Sequence, residues 1–392
     1  MAVTTVPPRP RHLPGCRIPP ALEVPMTRPL LTPLARSLPD TVPFTGPEAL
    51  ERRTGTTFRA RVGANESGFG PSPAVIAAIA DAAGEVWKYG DPEIHALKHA
   101  LAGRLGVPVA NVVVGEGIDG LHGLIARLII EPGDVAVTSL GAYPTFNYHV
   151  AGFGGRIVAV PYAGHHEDLA ALAATARRER AKVIYLSNPD NPMGTWWGAG
   201  ALERFIAEVP EETLILLDEA YCETAPEGTL PALDVARPNL IRTRTFSKAY
   251  GLAGMRVGYA VGEAGLIRAF DKVRNHFGVT RLSQVAALAA LGDQDWLATV
   301  IAKVAAGRGR LNAIAAENGL AAVPSATNFV AIDCGHDGAY ALAVLKALER
   351  RGVFVRKPMA PGLDRHIRIS VGRDEELDLV ATELPGALRE AG

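Results

Sequence analysis

Thr245-Phe246-Ser247-Lys248-Ala249-Tyr250-Gly251-Leu252-Ala253, continued by Gly254-Met255-Arg256-Val257-Gly258-Tyr259, decides how this chain is read. A lysine stands among small, apolar and aromatic neighbours, and an arginine follows eight residues later. Dry surroundings disfavour the charged form of a lysine and lower its pKa. A lysine tuned in this way is nucleophilic near neutral pH and forms a Schiff base with a carbonyl. The glycines leave room for a planar cofactor, and Arg256 offers a cation to an anionic group on it. Taken alone, the segment reads equally as a surface lysine in a glycine-rich turn, so its neighbours must decide.

Outward from this stretch, short apolar runs recur at 111–114, 135–138, 156–160, 182–186, 213–217, 240–245 and 256–261. Helical patterns separate most of them, at 118–130, 167–178 and 200–208, and two more helices precede them at 73–83 and 92–105. Runs this short and this apolar fit strands covered on both faces, which predicts an α/β fold with a mostly parallel sheet. The runs near Leu240 and Val257 are candidates for an antiparallel pair. Beyond residue 280 the pattern changes to long Ala-rich helices, at 282–291 and 296–318. Strand-like runs follow at 328–332, 353–356 and 366–371, with helices at 338–351 and 374–384. Pro385-Gly386 is expected to stop the last helix. This part reads as a smaller α+β domain.

Gly115-Glu116-Gly117-Ile118-Asp119-Gly120 follows a strand-like run and opens a helix. Backbone N–H groups at a helix N-terminus hold phosphate, so Gly117, Ile118 and Asp119 are candidate phosphate ligands. The same spacing is the fingerprint of a nicotinamide dehydrogenase. Against that reading, Glu131 and Asp134 precede the next strand instead of closing it. Some 110 residues also come before the motif without a complete βαβ entry.

Four further segments belong with Lys248: 188–195 (Asn-Pro-Asp-Asn-Pro-Met-Gly-Thr), 216–221 (Leu-Leu-Asp-Glu-Ala-Tyr), 141–146 (Gly-Ala-Tyr-Pro-Thr-Phe) and 368–372 (Arg-Ile-Ser-Val-Gly). With these in hand, the chain resembles the fold-type I pyridoxal-phosphate aminotransferases, most closely the histidinol-phosphate aminotransferase branch. The resemblance runs from about Arg61 to Val371, its five motifs stand in the family's order, and thirty residues separate Asp218 from Lys248. It implies a large domain with a mostly parallel seven-stranded sheet covered by helices, plus a smaller α+β domain.

The resemblance also assigns roles. Lys248 is implied as the residue that bonds the cofactor, pyridoxal 5′-phosphate, and then moves the substrate proton. Asp218 would pair with the ring N–H and keep the ring an electron sink. Tyr221 and Asn191 would hydrogen-bond the cofactor's phenolate oxygen, and Tyr143 would stack on the ring, with Phe146 as its rival. Ser247, Arg256 and the amides of Gly117, Ile118 and Asp119 would hold the cofactor phosphate. Tyr89 resembles the tyrosine that reaches the phosphate of the neighbouring subunit, implying a homodimer with a shared active site. Arg368 and Arg356 would bind the anionic ends of histidinol phosphate and of the 2-oxo acid, 2-oxoglutarate. Asn328 and Asn65 would lie beside them. Gly63 departs from the asparagine usual at its position, and Ile118 from a small residue.

The bulk numbers agree with a metabolic enzyme. Of 392 residues, 48% are hydrophobic and 21% charged, and the net charge is −1, which gives no general pull toward nucleic acid or anionic membrane. Three scattered cysteines offer neither a disulfide framework nor zinc spacing and suit a cytoplasmic protein. His165-His166 reads as a solvated pair and Trp196-Trp197 as surface packing. Residues 1–28 are expected to be a disordered extension, with Met26 as the start of translation. The expected organisation continues with 29–70 joining the small domain, 71–275 binding the cofactor and 276–392 forming the small domain. Two other outcomes stay open: an aminotransferase, decarboxylase or oxidase with the same cofactor acting on another (for example aromatic) amino acid, and, more remotely, an NAD-dependent dehydrogenase.

Overall fold

Six neighbouring strands bury nearly every residue they contain, because helices cover the sheet on both sides. The computed structural model describes residues 30–40 and 44–392, so the expected disorder of residues 1–28 and the Met26 start lie outside the described residues. In chain order the helices are α1 (Pro33–Ser37), α2 (Pro47–Thr54), α3 (Pro73–Ala82), α4 (His95–Leu105), α5 (Gly117–Ile129), α6 (Thr145–Gly152) and α7 (Leu169–Glu179). They continue with α8 (Ala199–Glu208), α9 (Ala264–Ala269), α10 (Arg281–Gly292), α11 (Gln294–Glu317), α12 (Gly338–Arg350) and α13 (Asp374–Ala391). The strands are β1 (Ala60–Arg61), β2 (Val112–Gly115), β3 (Val135–Ser139), β4 (Arg156–Val160), β5 (Val183–Ser187) and β6 (Leu214–Asp218), then β7 (Leu240–Thr245), β8 (Gly258–Gly262), β9 (Ala321–Ala322), β10 (Phe329–Asp333), β11 (Val353–Phe354) and β12 (His366–Ser370).

Residues 30–38 belong to a unit of their own, Met1–Leu38. In it α1 is capped by Thr32, whose Oγ1 accepts from the Ala35 amide at 3.1 Å. Pro39–Gly392 form the other unit. Its main sheet has seven strands in the order β2-β8-β7-β6-β5-β3-β4, and only β8 runs against the rest. Along β5, Val183 and Tyr185 join one core while Ile184 and Leu186 join another across the sheet. That two-sided burial is why these strands read as unbroken apolar runs. The strand that leads into the glycine motif, β2, sits at the sheet edge with the antiparallel β8 as its partner. Among the described residues no parallel neighbour stands beside it to make the entry of a dinucleotide-binding half.

The C-terminal part is an antiparallel sheet, β12-β10-β9, with α12 and α13 packed together over a separate core. The parallel pair β1 and β11 ties residues 60–61 to it. Helix α10 packs on α3 and α4, beside the large sheet. One expectation is corrected: α13 does not stop at Pro385-Gly386 but runs on to Ala391. Proline costs a helix one hydrogen bond and a clash with the preceding turn. Here Leu377, Val380, Leu384 and Ala387 all stay buried along one continuous face, and that packing outweighs the local penalty. Gly386 lets the Arg351 guanidinium approach, since a Cβ there would meet Arg351 Nη1 at 2.8 Å.

Candidate active site

The parallel strands deliver their C-terminal ends to one edge, where ligands of α/β sheets bind. A cavity of about 310 Å³ opens there, bounded by residues that follow β3, β5, β6 and β7 and by the first turn of α5. Lys248 stands three residues beyond β7, with Phe246 buried beneath it. Its Nζ donates to the Asn65 carbonyl at 3.3 Å and lies 5.6 Å from the centre of the Tyr221 ring. Burial, reinforced by the Arg368 cation and opposed by Asp119 and Glu66, brings this amine down to about 8. The lysine is therefore a nucleophile within reach of neutral pH.

Asp218 ends β6 and is buried. Tyr185 donates its hydroxyl to Oδ2 at 2.9 Å, and the Ala220 amide donates to Oδ1 at 3.0 Å. Burial outweighs these bonds and pushes the carboxyl up to about 7. A carboxylate so short of positive charge is matched to a ligand that brings its own N–H cation. Behind it, buried His122 on α5 places Nε2 3.8 Å from Asp218 Oδ2 and 3.4 Å from Thr243 Oγ1. Burial pushes that imidazole down to about 3, so it is neutral.

A polar chain crosses the cavity from there. Asn65 and Asn191 each point Nδ2 at the Tyr221 hydroxyl, at 3.0 and 3.3 Å. Asn65 is held in turn by Ser370, whose Oγ donates to Asn65 Oδ1 at 3.0 Å and accepts from the Asn65 amide at 2.9 Å. Asn328 donates to the Asn65 carbonyl at 3.0 Å. Arg368 donates to Asn191 Oδ1 at 2.5 Å and to the Gly63 carbonyl at 3.3 Å, while its buried Nε has no partner among the described residues.

At the other end lies a cup shaped for an anion. Helix α5 begins at Gly117 with no side chain capping it, which leaves its first amides open. Gly117 has φ of +76°, and a Cβ on it would meet Arg256 Nη2 at 2.5 Å. Arg256 Nη1 reaches Ser247 Oγ at 3.4 Å, and Arg256 Nη2 lies 3.8 Å from Asp119 Oδ2. Open helix amides, a hydroxyl and a guanidinium converge, the donor set that phosphate takes.

Tyr143 forms the wall of the cavity and touches Asp119 through its hydroxyl at 3.4 Å. Burial, then the Asp119 charge, pushes that hydroxyl up to about 12, so it stays protonated. Its rival Phe146 is wholly buried and stacks on Tyr185 at 5.3 Å, away from the cavity. Tyr89 is not brought to the cavity of its own chain. It is 76% exposed and packs against Phe277 with ring centres 4.7 Å apart.

A second cavity, about 450 Å³, adjoins the first and shares Tyr143 and Asn191 with it. Arg356 and Arg368 both line it. They face each other across an antiparallel bridge, joined by backbone bonds of 3.2 and 2.7 Å, which puts both side chains on one face. Arg356 donates to the Thr45 carbonyl, and its guanidinium lies 5.0 Å from the Phe354 ring centre. The departure at Gly63 has a steric cause: a Cβ there would meet the Phe354 ring at 2.8 Å. Ile118 turns its side chain into buried surroundings, leaving its amide free for the cup.

Sequence reasoning missed His122, Tyr185 and Ser370. Each sits inside an apolar helix face or strand, where periodicity marks only the core. His165 and His166 are half-buried, not solvated: their rings meet His366 at 5.0 Å and Trp197 at 5.2 Å. Together, the amine, the acid opposite, the flat wall and the anion cup fit an aromatic aldehyde that carries a phosphate.

Comparison with known proteins points the same way. Residues 61–384 match the family model described as aminotransferase class I and II. The chain is 39% identical to histidinol-phosphate aminotransferase 1 of Nitrosococcus oceani over 84% of this chain and 89% of that one. It is likewise 39% identical to histidinol-phosphate aminotransferase 2 of Pseudomonas aeruginosa, over 89% and 95% of the two chains. Among solved structures it is similar to the histidinol-phosphate aminotransferase of Sinorhizobium meliloti in complex with pyridoxal-5′-phosphate. There the identity is 56%, the TM-score 0.91 and the coverage 93% and 99%.

Proposed function

This chain belongs to the class I and II aminotransferases, and from that premise we propose that it uses pyridoxal 5′-phosphate to move an amino group from histidinol phosphate to 2-oxoglutarate. The observation that carries the reading is that Lys248, Asp218 and the anion cup of Ser247, Arg256 and the first turn of α5 line one cavity. When bound, the cofactor supplies a reactive aldehyde and a ring that takes up an electron pair.

The chain's own residues do the rest. Lys248 would hold the aldehyde end of the cofactor through Nζ, and the same Nζ, as a free amine, would take the proton from the substrate Cα. Its lowered pKa makes that base available. Asp218 would hold a proton at the ring nitrogen, which would repair its own shortage of positive charge. Tyr221 and Asn191 would donate to the ring oxygen, Tyr143 would cover the ring, and Ser247, Arg256 and the amides of Gly117, Ile118 and Asp119 would hold the phosphate. Arg356 and Arg368, side by side, take the donor phosphate in one half-reaction and the acceptor carboxylates in the other. Asn65 and Asn328 hold the loop that shapes this end.

We infer that Tyr89 acts across a homodimer with shared active sites. Its exposed ring packs on the exposed ring of Phe277, and Val86 and Trp87 beside it in the sequence are also exposed, an apolar surface of the kind that marks an interface. We read residues 71–275 as the cofactor-binding domain and 276–392 as the small domain, joined by 29–70, with α10 of the latter packed against the core of the former. No single helix among the described residues is long and apolar enough to cross a membrane. With a net charge of −1, the working reading is a cytoplasmic enzyme with small-molecule partners and neither nucleic acid nor membrane among them.

The test is a half-reaction. Donor alone should bleach the visible band of the cofactor aldehyde, and 2-oxoglutarate should restore it. A band that does not respond to histidinol phosphate would overturn this choice of donor, and carbon dioxide released from an amino-acid donor, with no return of the band on adding 2-oxoglutarate, would replace transamination with decarboxylation.

A further inference from the structure

One hydroxyl behind the cavity has no part in the chemistry above. Asp218 lines the cavity, and Tyr185, on the neighbouring strand β5, reaches it from behind. The Tyr185 hydroxyl donates to Asp218 Oδ2 at 2.9 Å, while the Ala220 amide takes Oδ1 at 3.0 Å. Among the described residues Tyr185 is the one side chain that hydrogen-bonds this acid. His122 Nε2, 3.8 Å from Oδ2, lies beyond hydrogen-bond distance and closer to Thr243 Oγ1, at 3.4 Å.

The hydroxyl is held in place by rings from three elements. Tyr185 stacks on Phe146 of α6, with centres 5.3 Å apart and 14° between the planes. His122 of α5 meets Tyr185 edge to face at 5.5 Å and 81°. All three side chains are 0% exposed, so the bond is shielded from solvent. A buried tyrosine needs some acceptor for its hydroxyl, and a core role would ask no more than that. Here the acceptor is the acid that faces the ring nitrogen, and a hydrogen bond donated to a carboxylate favours its charged form. Burial is what raises Asp218 most, and the Tyr185 bond is the strongest influence holding it down. The other titratable groups facing Asp218 are His122, neutral through burial, Asp119 at the start of α5, Tyr143, Tyr221 and Lys248.

We propose that Tyr185 is a positioning residue that acts through Asp218: its hydroxyl fixes Oδ2 and keeps the carboxylate ionised, so that the proton between acid and ring nitrogen stays on the nitrogen. The proposal rests on the cofactor assignment above. Only a proton changes place in it. Without the hydroxyl, the buried carboxylate is the stronger base and draws that proton to itself. A ring left neutral takes up an electron pair less readily.

Two readouts test this on the full chain. The first, carbon NMR of isotope-labelled aspartate carboxyls with no cofactor added, does not depend on the proposed reaction. The Asp218 signal is the one missing from Asp218→Asn. Tyr185→Phe should raise its pH midpoint by about one to two units, the scale of one hydrogen bond to a charged group. A ring-fluorinated tyrosine at position 185, a stronger donor, should lower the midpoint, and it carries the test if Tyr185→Phe does not fold. Phe146→Leu, which disturbs the same packing but keeps the hydroxyl, should change the melting temperature and leave the midpoint alone. The second readout is nitrogen NMR of ring-labelled pyridoxal 5′-phosphate in the loaded protein. The signal should be that of a protonated ring in the wild type and move toward the unprotonated position in Tyr185→Phe. An unmoved midpoint, an equal shift in Phe146→Leu, or a ring signal identical in wild type and Tyr185→Phe would overturn the proposal. A protein whose Asp218 midpoint moves as stated but which binds no cofactor would sink the functional reading alone.

Discussion

Replacing Asp218 by asparagine should stabilise the cofactor-free protein at alkaline pH while crippling the enzyme. In the folded chain burial pushes this carboxyl from 3.8 up to about 7. The unfolded chain releases the proton near 3.8, so between these values the native state holds more protons than the unfolded one. Stability then falls as pH rises through that window, opposite to the usual carboxylate, and the loss is complete above about 7. Roughly three pH units at about 1.36 kcal/mol each bound the penalty at about 4 kcal/mol, of which about 3 kcal/mol accrues between about pH 5 and pH 8. The asparagine side chain of the variant would carry no charge. Its Oδ1 would accept from the Ala220 amide, and its Nδ2 would donate to the Tyr185 hydroxyl once that rotates. Urea unfolding of cofactor-free wild type and Asp218→Asn at both pH values reads the difference. The variant should gain about 3 kcal/mol on the wild type from about pH 5 to pH 8. Parallel profiles would refute the idea that an uncompensated buried charge stands here. The cofactor-loaded order should reverse, because removing one partner of a buried charged pair costs about 3–5 kcal/mol.

Lys248 should react with amine reagents in the cofactor-free protein with a midpoint near pH 8, where its amine becomes neutral. Arg368→Met should raise that midpoint, and an unchanged midpoint would remove Arg368 from the account. Tyr89→Phe should weaken cofactor binding by about tenfold, one hydrogen bond to a charged group, measured by equilibrium dialysis of the dimer. Unchanged affinity would mean that Tyr89 does not reach the phosphate. Gly63→Asn, which restores the residue usual in this branch, should destabilise by about 1–3 kcal/mol through overpacking against Phe354. Adding Phe354→Leu should recover part of the loss in thermal melts, and no recovery would place the clash elsewhere.

The large sheet was legible because its strands are buried on both faces and so appear as bare apolar runs between helical patterns. The same burial hid the second layer of the site. Tyr185 occupies an ordinary core position in β5 until Asp218 is placed one strand away by the register of β5 with β6. His122 lies on the buried face of α5 and is indistinguishable by period from Leu121 and Ile125. Tyr143 and Phe146 differ by three residues, yet one lines the cavity and the other fills the core, because α6 turns Phe146 inward. Pro385 reads as a stop because local preference speaks for a helix end, whereas tertiary packing along α13 decides otherwise.

Reductive labelling tests the core of the account most directly. The protein is loaded with pyridoxal 5′-phosphate, treated with borohydride, digested and mapped by mass spectrometry. One cofactor-sized addition per chain is expected, on Lys248, and it should vanish when phosphate analogues fill the cup of Ser247 and Arg256. Labelling spread over surface lysines such as Lys182 or Lys346, with Lys248 unmodified, would contradict it.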